Sequence, residues 1–239
     1  MVAIILAILS LQTDPPPDLL RQVAQREAET EAVRSQYLYR QSVHMEEFDQ
    51  RGRTTGAYKE LREVIFSPTG ERTEQFAEKP SSNLQRLILT DEDFQDIRNI
   101  QPLLLTPDLL PRYQVKFRGE EAVDGVDCWV LSVQPRQILQ GMRLFEGEVW
   151  VDKKSLGVVR TYGQAVPPIY SKGRENLFPR FSTLRRALDG THYFPVLTYA
   201  DDTLPFKAGP LRIKLTIRYS SYRKFGTETT ITFDPPIAK

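Results

Sequence analysis

The 239-residue chain is long enough for one sizeable domain, and its 40% hydrophobic content can form a core. Its 32 basic and 31 acidic residues leave a net charge of +1, which excludes the broad positive surface of a general nucleic-acid binder. The single cysteine, Cys128, excludes an internal disulfide, and the two histidines, His44 and His192, are too few and too far apart for a zinc motif. We therefore expect no metal and no cofactor.

The amino-terminal segment is apolar from Val2 to Leu11 and is followed by polar residues and three prolines. It is too short to span a membrane and is typical of the hydrophobic core of a secretory signal, although an ordinary buried segment is the alternative. We predict a signal peptide over residues 1–13, one folded domain over residues 14–239, and export to the periplasm. Association with the outer membrane is a further option.

Two helices are predicted before the main run of strands. Asp18 is a candidate cap for the first helix, which begins near Leu19. Its apolar residues recur at helical spacing and predict one buried face: Leu20, Val23, Ala24, Ala28 and Ala32.

The second predicted helix follows Thr90, a favoured N-cap residue. Three acidic residues, Asp91, Glu92 and Asp93, could suggest a catalytic cluster, but in a first helical turn they complement the helix dipole. We interpret them as capping residues. Phe94, Ile97 and Ile100 then form the apolar face of this helix.

Strand patterns fill most of the remaining chain. The predicted strands are Tyr37 to Met45, Val64 to Phe66, Thr73 to Lys79, Tyr113 to Arg118, Val126 to Gln134, Leu144 to Asp152, Gly157 to Tyr162, Tyr193 to Tyr199, Leu211 to Tyr222 and Thr227 to Phe233. Between Leu211 and Tyr219 apolar and polar residues alternate, which predicts one solvated face. By contrast, Cys128 to Leu131 is apolar throughout and needs cover on both faces, for which the two helices are available.

A leucine-rich segment, broken by proline, lies between the second helix and the later strands. It runs from Leu103 to Pro111, and it is too apolar for a solvated loop and too interrupted for a long helix. One interpretation is a connector packed on the core. The other is a lid over an apolar cavity, because apolar clusters on connecting segments often mark binding sites.

The segment from Gly147 to Tyr162 contains two β-rich runs around a short polar turn and predicts an antiparallel hairpin. Strand alternation places Val149 and Val151 on one face and Trp150 on the other. The same segment resembles the lipoprotein-carrier proteins of the LolA and LolB type, which have Gly-x-aliphatic-Trp-Val-Asp, a polar turn and a strand ending in Arg. The matching positions here are Gly147, Trp150, Val151, Asp152 and Arg160.

A second part of the resemblance is the segment from Val123 to Leu131, in which a Gly turn precedes Trp129 and Leu131. The order of elements also resembles that family: a helix, a meander, a helical insertion and further strands. The resemblance implies a mainly β (α+β) fold, in which a strongly curved antiparallel sheet forms an incomplete β-barrel wrapped around helices. It also implies a hydrophobic cavity for acyl chains between the sheet and the helices.

The resemblance implies a non-catalytic periplasmic binding protein for lipids or lipoprotein acyl chains that takes part in lipoprotein sorting to the outer membrane. The partner would be a lipid or an acylated lipoprotein, and the protein would be a monomer. The alternative is an RseB-like envelope sensor or scaffold that binds an envelope protein on the same fold, which the Arg/Lys-rich strand face and the long C-terminal part would suit. The predicted cavity and lid residues are Phe94, Ile97, Leu103, Leu104, Leu105, Leu109, Leu110, Val149, Val151, Ile213, Leu215 and Ile217.

An enzymatic function is not predicted, because the sequence contains no phosphate loop, metal-ligand run or local catalytic motif. Cys128 lies inside an apolar strand pattern without a nearby histidine, and we interpret it as a small buried hydrophobic residue. Asp201 and Asp202 are followed by Leu204-Pro205 and are interpreted as loop residues. Catalytic groups that converge from distant loops are the remaining enzymatic alternative.

Overall fold

The structure is a computed structural model that describes residues 15–66, 71–99, 105–138, 143–171, 174–225 and 230–231. The predicted signal peptide over residues 1–13 lies outside these residues, as do Leu103 and Leu104 of the leucine-rich segment. Within them the chain forms two α-helices, one short 3-10 helix and thirteen strands. No helix in the described ranges is both long enough and apolar enough to cross a membrane.

Eleven of the strands form one antiparallel sheet, and the other two form a separate pair. The strands are β1 (Tyr37–Phe48), β2 (Thr54–Phe66), β3 (Arg72–Ser82), β4 (Tyr113–Val123), β5 (Val126–Pro135), β6 (Leu144–Asp152), β7 (Val158–Val166), β8 (Ile169–Ser171), β9 (Arg174–Asn176), β10 (Phe181–Ala187), β11 (Tyr193–Leu204), β12 (Leu211–Lys224) and β13 (Thr230–Ile231). The order in the large sheet is β3-β2-β1-β12-β11-β10-β7-β6-β5-β4, with β13 paired to β12 and with β8 and β9 paired separately.

The large sheet is curved and open, because the terminal strands β3 and β4 do not pair with each other. One face, here called the inner face, carries the main hydrophobic core. This core joins residues from strands at both ends of the sheet, such as Val64 of β2 and Leu131 of β5, with residues of both helices. The predicted fold class, an incomplete barrel wrapped around helices, is confirmed.

The first helix, α1 (Leu19–Arg34), begins where the sequence predicted, but two details of that prediction are wrong. The Asp18 side chain makes no capping hydrogen bond. The buried face is also rotated: it includes Glu27 and Thr30, whereas Ala32 is exposed. Alanine fits either environment, so its spacing is a weak indicator of which helical face is buried.

The second helix, α2 (Asp91–Asn99), begins with a reciprocal capping arrangement. The Thr90 backbone N–H donates to the Asp93 carboxylate at 2.7 Å, and the Asp93 backbone N–H donates to the Thr90 hydroxyl at 3.4 Å. The interpretation of Asp93 as a capping residue is therefore confirmed. A 3-10 helix, η1 (Leu110–Arg112), leads into β4.

The predicted hairpin is formed by β6 and β7 and has the predicted alternation. Val149 and Val151 belong to the main core on the inner face, whereas Trp150 belongs to a smaller cluster on the outer face. Cys128 and Val130 also lie in that outer cluster. The prediction that helices cover both faces here is wrong, because both helices contribute to the inner core and the outer cluster is made of residues from the sheet and its turns.

The strand β10 was not predicted from the sequence. It lies between β7 and β11 and therefore completes the sheet at its centre. Its inward residues include Thr183 and Arg185, which are 0% and 1% exposed. Two polar residues at inward positions hide the alternation from which half-buried strands are recognised.

Candidate functional site

Four short elements cover the inner face of the sheet and define the candidate site. They are α1, α2, the segment 83–90 and the segment 105–112. Each contributes apolar side chains to the main core: Leu19 and Val23 from α1, Ile97 from α2, Leu84, Leu87 and Leu89 from segment 83–90, and Leu105 and Leu109 from segment 105–112. We refer to these four elements together as the cover.

Most of the predicted cavity and lid residues that the structure describes meet in one cluster. The strand residues Val149, Val151, Leu215 and Ile217 are at most 1% exposed, and cover residues pack on the same core. Of the cover residues, Ile97 and Leu105 are buried, and Phe94, Leu109 and Leu110 are half-buried. Leu103 and Leu104 lie outside the described residues. The role of all these predicted residues in ligand binding stays a prediction.

Ile213 is the predicted strand residue that lies apart from this cluster. It packs with Leu177, Leu204 and Leu211 in a separate apolar cluster. Leu87 of the cover is half-buried against both clusters. The segment 83–90 therefore links the main core to the neighbouring one.

The first polar anchor of the cover is an ion pair between α1 and β10. Arg185 donates from Nη1 to Oε2 of Glu27 at 2.9 Å, and both side chains are fully buried. The other carboxylate oxygen of Glu27 has no hydrogen-bond partner among the described residues. Ion pairs at this depth recover little net free energy, because both charges have lost their hydration.

The second polar anchor joins α2 to the sheet and to the residues before β10. The Arg143 guanidinium donates to the Asp96 carboxylate and, at 2.7 Å, to the backbone carbonyl of Asn176. Burial raises the pKa of Asp96 to about 7, although the Arg143 charge acts in the opposite direction. Near neutral pH the charge of this anchor is therefore sensitive to proton concentration.

The third polar anchor is the carboxylate of Glu47, which faces inward near the C-terminal end of β1. It accepts backbone N–H groups of Gln85 at 2.5 Å, Arg86 at 3.0 Å and Leu87 at 2.8 Å. Glu47 is 0% exposed. This single side chain thus accepts three consecutive backbone N–H groups of segment 83–90 where the segment lies on the sheet.

None of these anchors was predicted from the sequence. Strand β1 did contain a signal, because Gln41 and Glu47 occupy inward positions in an otherwise apolar alternation. A polar residue at an inward strand position requires a buried partner. The identity of that partner could not be read from the sequence, since Arg185 and Glu27 are 158 positions apart.

Residues of the Trp-Val-Asp hairpin motif have structural partners within the sheet. The Asp152 carboxylate accepts the Lys154 backbone N–H at 3.0 Å and the Ser155 hydroxyl at 2.5 Å, which closes the turn between β6 and β7. The Arg160 guanidinium lies 4.7 Å from the Trp150 ring centroid. The motif residues therefore hold the hairpin together.

Cys128 is buried within the outer cluster. Burial raises the pKa of its thiol to about 11, so the thiol is protonated at neutral pH. This agrees with its interpretation as a small buried residue. Among the described residues there is also no group of three or more His, Cys, Asp or Glu side chains that could hold a metal ion.

No protein-family model matches the chain, and no curated protein matches its sequence. A solved structure of a DUF1329 family protein from Desulfovibrio piger is 17% identical with a TM-score of 0.46, over 91% of this chain and 96% of that chain. A LolA superfamily protein from Nitrosomonas europaea is 13% identical with a TM-score of 0.38, over 87% and 94% of the two chains.

A domain from Vibrio parahaemolyticus, named for outer membrane lipoprotein sorting, is 11% identical with a TM-score of 0.39. It matches over 87% of this chain and 95% of that chain. Two of these three solved structures bear the name of the lipoprotein-sorting class that the hairpin motif and the order of elements resemble.

Proposed function

We propose that this protein is a non-catalytic binding protein of the cell envelope that takes up an acyl chain of a lipid or lipoprotein. The ligand would lie between the inner face of the sheet and a displaced cover. Each methylene that leaves water contributes about 0.8 kcal/mol, so part of one chain supplies several kcal/mol. The predicted export to the periplasm is part of this proposal.

The observation that carries the proposal is the mixed nature of the contact between cover and sheet. The sheet side is apolar, but the cover is held by the three polar anchors at Glu27, Asp96 and Glu47 as well as by apolar side chains. Opening rehydrates the anchor groups, which offsets part of the lost interaction. It also presents an apolar surface that an acyl chain can cover in place of the protein's own residues.

The test measures uptake of a fluorescent fatty acid by the purified protein and by a Leu109→Ser variant. Leu109 is half-buried in the cover, so its loss should lower probe affinity roughly tenfold with a much smaller effect on stability. Ile138→Ser is the matched control, because Ile138 is 60% exposed. A parent protein that binds no acyl probe would contradict the proposal.

The alternative is a sensor or scaffold that binds an envelope protein. The observation that favours it is the edge strand β3, most of whose residues are exposed and whose Phe76 is 54% exposed. An open sheet edge can accept an added strand from a partner. Native mass spectrometry of protein purified from its own envelope separates the two functions, because a bound lipid and a bound polypeptide differ in mass.

A further inference from the structure

The outer face of the sheet carries a polar groove on the side away from the proposed acyl site. The groove crosses strands β12, β1, β2 and β3 and has a volume of about 510 Å³. Its basic side chains are His44, Lys59, Lys79 and Arg218, its hydroxyl side chains are Ser42, Ser81 and Thr216, and its acidic side chain on this face is Glu78. We call it the β1–β3 groove.

Strand pairing brings these side chains together. His44 lies directly opposite Lys59 on β2 and opposite Thr216 on β12, while Ser42 lies opposite Arg218. The two cations each lie opposite a hydroxyl side chain, because Lys59 is paired with Ser81 on β3 and Arg218 with Ser42 on β1. The pairing of β2 with β3 is irregular on both sides of Leu61, next to the groove. Such irregularities redirect side chains at binding surfaces.

Five of the polar side chains that line the β1–β3 groove have no internal partner in the part of the chain that the structure describes. The hydroxyl groups of Ser42, Ser81 and Thr216 and the charged groups of Lys59 and Arg218 make no intramolecular hydrogen bond or ion pair there. By contrast, Arg212 on the same face of β12 is bound by the Asp201 carboxylate through two hydrogen bonds of 2.8 Å. The groove therefore offers a set of unused donors.

A second outer groove provides a comparison within the same sheet. It has a volume of about 720 Å³ and contains three arginines and three aspartates, so its charges balance. One of its ion pairs joins Arg186 to Asp124 at 3.0 Å. The β1–β3 groove instead combines Lys59, Lys79 and Arg218 with the single carboxylate of Glu78 on the outer face. The fifth charged lining residue, Glu60, is buried and accepts hydrogen bonds from Tyr58 and Arg62.

We propose that the β1–β3 groove binds a phosphate group. Phosphate oxygens accept several hydrogen bonds at once, which suits a site with one guanidinium, two ammonium groups and three hydroxyl groups. The groups stand on paired strands, so the backbone that carries them is already ordered before binding. A free phosphomonoester and the headgroup of an anionic lipid present the same chemistry.

The experiment titrates the full chain with glycerol phosphate and, separately, with phosphatidylcholine vesicles that contain or lack phosphatidic acid. Lys59→Gln and Arg218→Gln should each weaken binding roughly tenfold, because each removes a charge-assisted hydrogen bond. Both residues are exposed, so the melting temperature should stay close to that of the parent. Lys116→Gln, at an exposed position on β4, is the matched control and should bind as the parent does.

Binding of glycerol phosphate that both groove variants weaken supports the proposal with a free phosphomonoester as ligand. Binding only to the phosphatidic acid vesicles, weakened by the same variants, supports it with a lipid headgroup as ligand. Absence of binding in both arms overturns it, as does binding that the groove variants leave unchanged. Equal weakening by Lys116→Gln would show a general charge effect and would also overturn it.

Discussion

At the residue scale, close packing around two glycines explains why the hairpin has glycine at these positions. Gly147 and Gly163 lie directly opposite each other on β6 and β7. A Cβ atom on Gly163 would collide with the backbone oxygen of Glu146 and lie 2.7 Å from the Phe145 ring. The ring fills the space that side chains would otherwise occupy. A motif glycine that could suggest a flexible turn is therefore a packing requirement inside the sheet.

Gly163→Ala should lower the free energy of unfolding by about 1–3 kcal/mol, because the added methyl group overpacks the β6–β7 pair. Urea denaturation of the parent and the variant measures this difference. Gly147→Ala should behave in the same direction, since a Cβ atom there would meet Tyr162 and the same ring. Parent-like stability in both variants would show that the two strands do not approach each other this closely.

Val151→Asp tests which face of the hairpin is the core. Val151 is 0% exposed on the inner face, and an unpaired carboxylate buried there should cost several kcal/mol and unfold the protein. Tyr162→Asp is the control on the same hairpin, because Tyr162 is 39% exposed and its replacement should have a small effect. Thermal melts compare them. A Val151→Asp variant as stable as the parent would reverse the assignment of the faces.

At the scale of elements, α1 is unusual because its buried face contains Glu27 and Thr30 beside Leu19 and Val23. The Thr30 hydroxyl donates to the Arg26 carbonyl at 2.9 Å, so it is satisfied within the helix. Glu27 instead depends on Arg185 of the sheet. The attachment of α1 to the sheet therefore depends on a matched pair of charges as well as on apolar contacts.

Glu27→Ala alone should destabilise the protein by about 3–5 kcal/mol, because it takes the carboxylate away from the buried Arg185. The double variant Glu27→Leu with Arg185→Met should cost far less, since an apolar pair removes both buried charges.

If the cover must open for ligand entry, this double variant should also take up the acyl probe more slowly. Chemical denaturation and stopped-flow probe uptake measure the two effects. A double variant as unstable as Glu27→Ala would contradict the account of this anchor.

At the scale of the whole molecule, the open sheet and its cover form a unit with titratable groups at their interface. Burial raises the pKa of both Asp93 and Asp96 in α2. Hydrogen bonds from Thr90 partly oppose this shift at Asp93, and the charge of Arg143 partly opposes it at Asp96. On the turn of the β6–β7 hairpin, burial also disfavours the charged form of Asp152, but its hydrogen bonds outweigh that effect and lower its pKa. The two regions therefore respond to pH in opposite directions.

The folded-state pKa of Asp96, about 7, lies above its ordinary value of 3.8. A carboxyl group whose pKa is raised by folding contributes its full stability at pH values below its ordinary pKa. That contribution is lost as the pH rises from there through about 7. The parent should therefore lose stability relative to Asp96→Asn between acidic and mildly alkaline pH. Urea denaturation across this pH range measures the free energy of unfolding of both proteins. In the difference between the two values, the contributions of the other titrating groups cancel. A difference that does not change with pH would contradict the raised pKa.

The sequence by itself determined the order of most elements and the buried face of the later strands. Alternation along Leu211 to Tyr219 and the turn after Asp152 are local features, and both were predicted correctly. The capping role of Asp93 was equally local. Periodicity, turns and caps involve residues within a few positions of one another, so they can be recognised without knowledge of the fold.

Only the tertiary structure decided how the cover is attached and where the unpaired charges collect. The partners Glu27 and Arg185, and the neighbours His44 and Lys59 with Arg218 beside them, come together through strand pairing and helix packing. Strand β10 was missed because its inward polar residues are acceptable only when such distant partners are present. Pairings between distant positions depend on the whole arrangement of the sheet, and a single sequence carries no local pattern that specifies them.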